Sequence, residues 1–434
     1  MMRLLLASTA LICSGCALAD EPIVASPVPA VLREAPTSAQ LWRNVGAETG
    51  EVRDIAGLEQ LARDFPDSGN VRLRLLQPLL AAGEVEQVMD TLEWLYDRGY
   101  VFSDVAQTQI PKLLEGVDPG RIAERLRAKP EVIGSSEVIA TFPASAGLLE
   151  TVIRFPENIQ LNMTPRPKFL ATAVMDKHVT ALFSSGNVIH FDNTGADNVS
   201  GMVWDEDRQS LWIASSNIDG SEKEESSYSG LYRMVNVAEG RQEIPAPEGV
   251  NPSDITVGPD GTLYASDPIA GGVYKASLEQ ERLVPLVPMG TFRSPQGLVT
   301  SEDNTKLYVS DYRYGIAIID LDSGGVARLA SDIPIIMDGV DAMWRHGKEL
   351  IVVQNGTSPM RISAFELSDD GNRVVGHRVL EQANPEWTEP LSGSIDGDAL
   401  IYVGTGQWDR YVDGKPAQDK PTVETQIRRL QIKP

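Results

Sequence analysis

The chain has 434 residues, of which 42% are hydrophobic and 23% are charged. This composition is enough for one large and one small folded domain, and it excludes wholesale disorder. The formal net charge of -23 opposes binding to phosphate backbones and anionic headgroups, so the sequence argues against a nucleic-acid-binding function. No basic run of residues offsets this charge.

The amino terminus predicts an export signal, residues 1–19. Arg3 is followed by the apolar run Leu4–Cys13, which is too short to cross a bilayer as a mature helix. Two cleavage sites are open: an A-x-A site ending at Ala19, and a lipoprotein site after residue 15 that leaves Cys16 to carry a lipid. We therefore expect an exported protein of the periplasm or cell envelope, with membrane contact only through that lipid anchor.

The next segments predict a linker rich in proline and alanine, residues 20–37, and an α-helical domain, residues 38–136. Apolar residues recur at intervals of three and four in Asp54–Pro66. Val71–Leu80 and Val85–Tyr96, joined by a glycine turn, predict two antiparallel helices similar to a tetratricopeptide pair. Two interpretations are open: a groove that binds a protein partner, and a cap packed on the following domain.

From residue 137 to 434 the sequence changes to short β-rich runs separated by Gly, Pro, Asp and Asn turns. Pro252–Lys275 contains three strand-like runs, and Pro295–Ile319 repeats its pattern. Four further copies begin near Pro156, Val199, Met337 and Glu389. The copies are roughly 40 to 55 residues apart, as expected for four-stranded blades. The sequence predicts a mainly β fold, a six-bladed β-propeller preceded by the small helical domain.

These repeats resemble the senescence marker protein and gluconolactonase superfamily of six-bladed propellers. The resemblance extends from about Leu148 to the carboxyl end, and it is strongest in Pro252–Lys275, Ser294–Asp320 and Asp338–Gly356. The sequence is most similar to exported bacterial members that also carry a short helical amino-terminal region. The resemblance implies a lactonase-like hydrolase that acts on a small-molecule cyclic ester.

The blade starts are the candidate site, because the innermost strands of a propeller begin at one mouth of the central tunnel. The second position of the repeat holds Glu157, Ser200, Ser253, Gln296, Asp338 and Pro390. Carboxylate and amide oxygens suit a hard divalent cation. The resemblance implies that Glu157, Gln296 and Asp338 hold one such ion, with Ca²⁺ expected and Mg²⁺ or Mn²⁺ as alternatives. Gln296 departs from the family, which has Asn there.

A bound cation would polarise the lactone carbonyl while a carboxylate activates water. Asp338 is the candidate base, with Asp254 and Asp341 as neighbours that could take its place. Asn355 and Gln407 are candidate hydrogen-bond donors to the substrate. Two alternatives stay open: the blade-start carboxylates only bond loop amides, or the propeller is a non-catalytic module that binds a ligand or a protein.

Other catalytic groups have little support in the sequence. Both cysteines fall in the predicted signal, which excludes thiol chemistry in the folded part. No nucleophile elbow, P-loop or dinucleotide motif is present. The histidines lack the spacing of metal ligands: His178, His190, His346 and His377.

Overall fold

The computed structural model describes residues 41–155, 165–192, 195–218, 227–234, 242–277 and 280–433. The predicted signal and linker lie outside these ranges, as do Cys16 and Glu157. Within the described ranges, no helix is long and apolar enough to cross a membrane.

Five α-helices precede the sheets in the described part of the chain. Three of them begin at a side-chain cap, because Asp54, Ser68 and Ser103 each accept a hydrogen bond from an N–H three residues further on. The helices are α1 Ala47–Glu51, α2 Ile55–Asp64, α3 Gly69–Ala82, α4 Val85–Asp97 and α5 Asp104–Leu113.

Six sheets, which we number as blades 1 to 6, follow the helices. The first strand, β1, spans Glu137–Phe142 and belongs to blade 6. Blade 1 contains β2 Leu149–Arg154, β3 Pro167–Ala173, β4 His178–Phe183 and β5 Val188–Asp192. Blade 2 contains β6 Asn198–Asp205, β7 Ser210–Ser216, β8 Gly230–Met234 and β9 Gln242–Pro245. Blade 3 contains β10 Ile255–Val257, β11 Leu263–Asp267, β12 Gly272–Ala276 and β13 Val284–Val287.

The second half of the chain forms the other three blades. Blade 4 contains β14 Pro295–Thr300, β15 Lys306–Asp311, β16 Gly315–Asp320 and β17 Val326–Arg328. Blade 5 contains β18 Ala330–Ser331, β19 Ala342–His346, β20 Glu349–Gln354, β21 Arg361–Leu367 and β22 Arg373–Gln382. Blade 6 contains β23 Gly393–Asp396, β24 Ala399–Val403 and β27 Thr425–Gln431 besides β1. A small hairpin, β25 Tyr411–Val412 and β26 Lys415–Pro416, lies between β24 and β27.

The inner strands of the blades form a closed ring. Contacts run from β2 to β6, β10, β14, β19 and β23, and from β23 back to β2. The predicted six-bladed propeller is therefore confirmed.

Blade 6 combines the first strand of the propeller with its last strands, because β1 pairs with β27 and takes the outermost position. A buried polar network lies just before β1. The backbone N–H and the hydroxyl of Ser136 both donate to the Glu381 carboxylate at 2.9 Å, and the Tyr402 hydroxyl donates to its other oxygen at 2.8 Å. Arg428 in turn donates to the Ser136 hydroxyl at 2.7 Å. Strand pairing and this network together close the ring.

The helices pack on the sides of blades 3 and 4 and share one hydrophobic core with them. Trp42 contacts Phe65 and Phe292, with ring centroids 4.9 and 5.2 Å apart. Phe65 in turn lies 4.7 Å from the ring of Tyr314. Buried aromatic pairs of this kind contribute beyond the area that they bury. The helical segment is therefore docked on the propeller.

Candidate functional site

A tunnel runs along the axis of the propeller, with a cavity volume of about 640 Å³ that all six inner strands line. Asp254 lies at the end where these strands begin. Arg154 and Asp396 form an ion pair of 3.0 Å at the other end, beside Trp204 and Trp344. The tunnel is large enough to hold a small molecule.

Four carboxylates come together near the starts of the inner strands, and we call them the tunnel carboxylates: Glu150, Asp254, Asp341 and Glu389. They come from blades 1, 3, 5 and 6, and each is half-buried. The charge of Asp341 acts on Asp254, Glu150 and Glu389, and the charge of Asp254 acts on Glu150. The tunnel mouth therefore brings four acidic groups into a small, partly enclosed space.

Glycines in neighbouring strands permit this convergence. Gly297 donates its N–H to the carbonyl oxygen of Asp341 at 2.9 Å, and a Cβ at Gly297 would lie 2.6 Å from the backbone nitrogen of Met343. Gly201 likewise donates to the carbonyl oxygen of Ser253 at 2.8 Å. Any larger residue would push the strands apart, so these glycines bring the segments carrying Asp254 and Asp341 to the tunnel.

Asp341 has one side-chain partner, Asn355, whose amide nitrogen donates to it at 3.0 Å. Asn355 is held in turn by the Tyr312 hydroxyl, which donates to its amide oxygen at 3.0 Å. Burial raises the pKa of Asp341 to about 6, and the bond from Asn355 limits the rise. Asp341 is therefore mainly ionised at neutral pH, and in the described part of the chain Asn355 is the one side chain that donates a hydrogen bond to its carboxylate.

Asp254 and Glu389 have a different environment. No hydrogen bond from a described side chain or N–H lowers the pKa of either carboxyl. Burial, and then the charge of Asp341, raises the pKa of each to about 8. Asp254 keeps some accessible surface, but that surface faces the tunnel rather than open solvent. Both groups are therefore mainly protonated at neutral pH and can donate a hydrogen bond.

Glu150 accepts a hydrogen bond of 2.6 Å from the indole N–H of Trp408. Burial raises its pKa well above the usual range, and the charges of Asp341 and Asp254 add to the rise. Glu150 thus adds a further carboxyl of raised pKa beside the ionised Asp341.

Asp338 does not face this group. Its carboxylate accepts hydrogen bonds from the Ser68 hydroxyl at 2.8 Å, the Gly69 N–H at 3.0 Å and the Asn70 N–H at 2.7 Å. Its exposure is 3%. Asp338 thus joins the N-terminus of α3 to the propeller, where a negative charge is favourable, and its oxygens are not directed at a substrate. The geometry favours Asp341, three residues later, for the role of base for which Asp338 is the first candidate in the sequence analysis.

The other candidates separate into two groups. Asn355 belongs to the site through Asp341. Gln407 does not, because it is 1% exposed and its amide bonds to Val423 and Thr425 of its own loop. The amide nitrogen of Gln296 donates to the Ser294 hydroxyl at 3.1 Å.

Sequence reasoning missed Glu150, Glu389, Tyr312 and Trp408. The repeat placed the first blade start at Pro156, whereas the innermost strand of blade 1 is β2. Glu150 is the second residue of β2, whereas Asp254 and Asp341 stand immediately before β10 and β19, so an alignment of the strand starts does not select Glu150. Glu389 begins the last copy of the repeat, one residue before the second position, which Pro390 holds.

Comparisons with known proteins add little about this site. No protein-family profile matches the sequence, and no curated protein does. The PQQ-bound aldose sugar dehydrogenase of Streptomyces coelicolor has 13% identity and a TM-score of 0.46, covering 70% of this chain and 99% of its own. A gluconolactonase of Xanthomonas campestris has 14% identity and a TM-score of 0.44, covering 69% and 95%. A luciferin-regenerating enzyme has 14% identity and a TM-score of 0.45, covering 70% and 95%. Similarity this distant does not identify a reaction.

Proposed function

We propose that the protein is a lactonase-type hydrolase of small, uncharged cyclic esters, and that the tunnel carboxylates perform the chemistry. The observation that carries the proposal is the division of this group into one ionised carboxylate, Asp341, and protonated neighbours, among them Asp254. A pair of titratable groups whose pKa values are driven apart supplies a base and an acid at the same pH.

Asp341 is the general base. It accepts a proton from a water molecule as the water oxygen attacks the ester carbonyl carbon. The hydrogen bond from Asn355 fixes its carboxylate, and Tyr312 fixes Asn355. This chain of contacts orients the base without neutralising it.

Asp254 is the general acid. Its proton passes to the ring oxygen as the bond between that oxygen and the carbonyl carbon breaks, so the ring opens to a hydroxy acid. The carboxylic acid product loses its own proton to solvent. Asp341 then holds one proton and Asp254 none, and a proton transfer between them restores the starting state.

The environment selects for an uncharged substrate. The ionised Asp341 and the net charge of -23 repel anions. A cavity of about 640 Å³ accommodates a sugar-sized ring together with water. Product release is favoured for the same reason, because the opened product is an anion.

The described His, Cys, Asp and Glu side chains do not by themselves assemble a divalent-cation site. The tunnel offers hard oxygen donors, but no three or more His, Cys, Asp or Glu side chains in the described ranges lie close enough to hold a metal. Of the predicted ligands, Asp338 is bonded to α3 and Glu157 lies outside the described residues. The steps above therefore use the protein's own carboxylates, and the cation stays a prediction that chelation can test.

Export also stays a prediction. We propose a periplasmic or cell-envelope location, with or without a lipid on Cys16. Cell fractionation of the wild-type chain and of Cys16→Ser tests both points: loss of membrane association in the variant alone would support the anchor. Recovery of both proteins in the cytoplasm would contradict export.

The decisive experiment measures acid release from a panel of uncharged γ- and δ-lactones, sugar lactones included. We expect turnover by the wild type, a loss of about 10²-fold or more in Asp341→Asn, and no change in the surface variant Asp322→Asn. Turnover that chelator abolishes would restore the predicted cation. A folded wild type inert on the whole panel would overturn the proposal and favour a ligand-binding or protein-binding propeller.

A further inference from the structure

A group of arginines lies where the helices meet blade 4, and we call Arg72, Arg98 and Arg328 the arginine cluster. Arg72 belongs to α3, Arg98 follows α4, and Arg328 ends β17. All three interact with the charge of Asp67. The sequence contains no basic run here, because residues distant in the chain assemble the cluster.

Trp94 holds two of these side chains. The guanidinium carbon of Arg98 lies 4.0 Å from the centroid of the Trp94 ring, and that of Arg72 lies 5.0 Å from it. Stacking of this kind fixes the plane of a guanidinium group and leaves its edge free for hydrogen bonding. The two groups are thus held beside the same ring.

Their hydrogen-bonding capacity is mostly unused. A guanidinium has five N–H donors. Among the described residues, Arg72 makes one contact of 3.5 Å with the Ala62 carbonyl, and Arg98 makes one of 3.3 Å with the Trp94 carbonyl. The Nε atoms of both are buried and have no partner in the described part of the chain.

The counter-charge is also incomplete. Asp67 is bound directly by Arg328, at 2.9 Å, and its charge also acts on Arg72 and Arg98, whereas Asp97 is a second carboxylate that acts on Arg98. Burial lowers the pKa of Arg72, and repulsion from Arg98 lowers it further. Like charges held together and half-buried are unfavourable without a compensating anion. A local excess of positive charge is unexpected in a chain of net charge -23.

We propose that the arginine cluster binds a phosphate group between Arg72 and Arg98. A phosphate dianion matches the excess charge, and its several oxygens can accept from both guanidinium edges. Trp94 pre-orients the donors, and Arg328 keeps Asp67 from repelling the ligand. The phosphate is either that of a soluble phosphomonoester or that of a lipid headgroup, since the recognised chemistry is the same.

Titration calorimetry on the full chain at low ionic strength tests the site with inorganic phosphate. We expect saturable binding by the wild type, weakened about tenfold or more in Arg72→Gln and in Arg98→Gln. Arg63→Gln is the matched control, because Arg63 lies on the exposed side of α2, bonds to Gln60, and carries the same charge. Its affinity should equal that of the wild type.

Two further binding experiments distinguish a soluble phosphomonoester from a lipid headgroup. Binding of glycerol phosphate without vesicle binding assigns a soluble ligand, and sedimentation with phosphatidic acid vesicles assigns a headgroup. Arg98→Lys keeps the positive charge but loses the planar set of N–H donors of the guanidinium group, so it should bind phosphate more weakly than the wild type. This variant keeps the test decisive if a Gln variant fails to fold. Absence of saturable binding to the wild type, or equal affinity in Arg98→Lys and the wild type, would overturn the proposal.

Discussion

The propeller contains two kinds of buried carboxylate. Asp267 ends β11, Asp311 ends β15, and Asp338 lies in the loop before β19; all three are almost fully enclosed, and each accepts three hydrogen bonds, mainly from loop or helix-terminal N–H groups. The tunnel carboxylates are half-buried and accept at most one each in the described part of the chain. We call the first set the loop carboxylates.

Asp338 and Asp341, one from each set, differ in their hydrogen-bond partners and not in their pKa values. Burial raises the pKa of Asp338 and of Asp341 alike, to about 6. Asp338 uses its oxygens to hold a helix terminus, whereas Asp341 keeps most of its lone pairs free beside a tunnel. A shifted pKa thus indicates withdrawal from water, and unused hydrogen-bonding capacity distinguishes a carboxylate available for chemistry.

Substituting one carboxylate of each set should give the largest contrast between an effect on activity and an effect on stability. Asp254→Asn should lower kcat/KM about 10² to 10⁴-fold, because the acid is lost, with little loss of stability. Asp311→Asn should keep the rate and lower the free energy of unfolding by about 1 to 3 kcal/mol, because three N–H donors lose their charged acceptor. Lactone kinetics and urea unfolding on both variants make the comparison. The reverse pattern would show that the two sets had been assigned the wrong way round.

The stability of the wild type should fall as the pH rises through about 8. Asp254 and Glu389 are protonated more readily in the folded than in the unfolded chain, since their folded pKa is about 8. Their contribution is fully present below the unfolded pKa of about 4 and is lost as the pH passes the folded one. Urea unfolding at pH 6 and pH 9 should differ by a few kcal/mol, and less in Asp254→Asn. An equal loss of stability between pH 6 and pH 9 in the two proteins would contradict the assignment of this pH dependence to Asp254.

The rate should follow a bell-shaped pH profile. Asp341 must lose its proton, which places the rising limb near its pKa of about 6, and Asp254 must keep its proton, which places the falling limb near about 8. Outside this window kcat/KM should fall about tenfold per pH unit. Asp254→Asn should remove the falling limb of its residual activity. A profile with one limb in the wild type would exclude the paired roles.

The smallest effect concerns a loop carboxylate and its helix. Ser68→Ala removes the cap of α3 and one bond to Asp338, so it should destabilise the protein by about 1 to 2 kcal/mol. Ser103 caps α5 and donates no hydrogen bond to the propeller in the described structure, so Ser103→Ala should lose only about half as much. Urea unfolding compares them directly. Equal losses would mean that the bond to Asp338 adds nothing.

The repeat pattern predicts the fold because each blade repeats one succession of strands and turns, and turn chemistry is local. The same pattern brought Asp254 and Asp341 to the correct mouth. It could not choose between Asp338 and Asp341, because their difference depends on α3, which lies about 270 residues earlier in the sequence. The sequence does not predict the arginine cluster for the same reason, because its members come from segments that are distant in the chain.

Blade 1 shows a second limit. Its copy was aligned on a proline after the true inner strand, so the repeat frame was shifted by several residues and passed over Glu150. Side chains in a strand alternate between two faces with a period of two residues. The pattern of apolar and polar residues therefore looks the same when the alignment of the repeat is shifted by an even number of residues. Only the pairing between β2 and β3 fixes which residues begin the blade.

The pairing of β1 with β27 has a consequence for the order of events during synthesis. Blades 1 to 5 and the helices can assemble from residues before Gly393, but blade 6 cannot be completed until the last strand, which ends at Gln431, has left the ribosome. The contact joins segments almost 290 residues apart, and such non-local pairings form slowly. Until then the edge of β24 and the strand β1 both lack the partner that joins them, and a chain truncated before β27 would leave blade 6 incomplete.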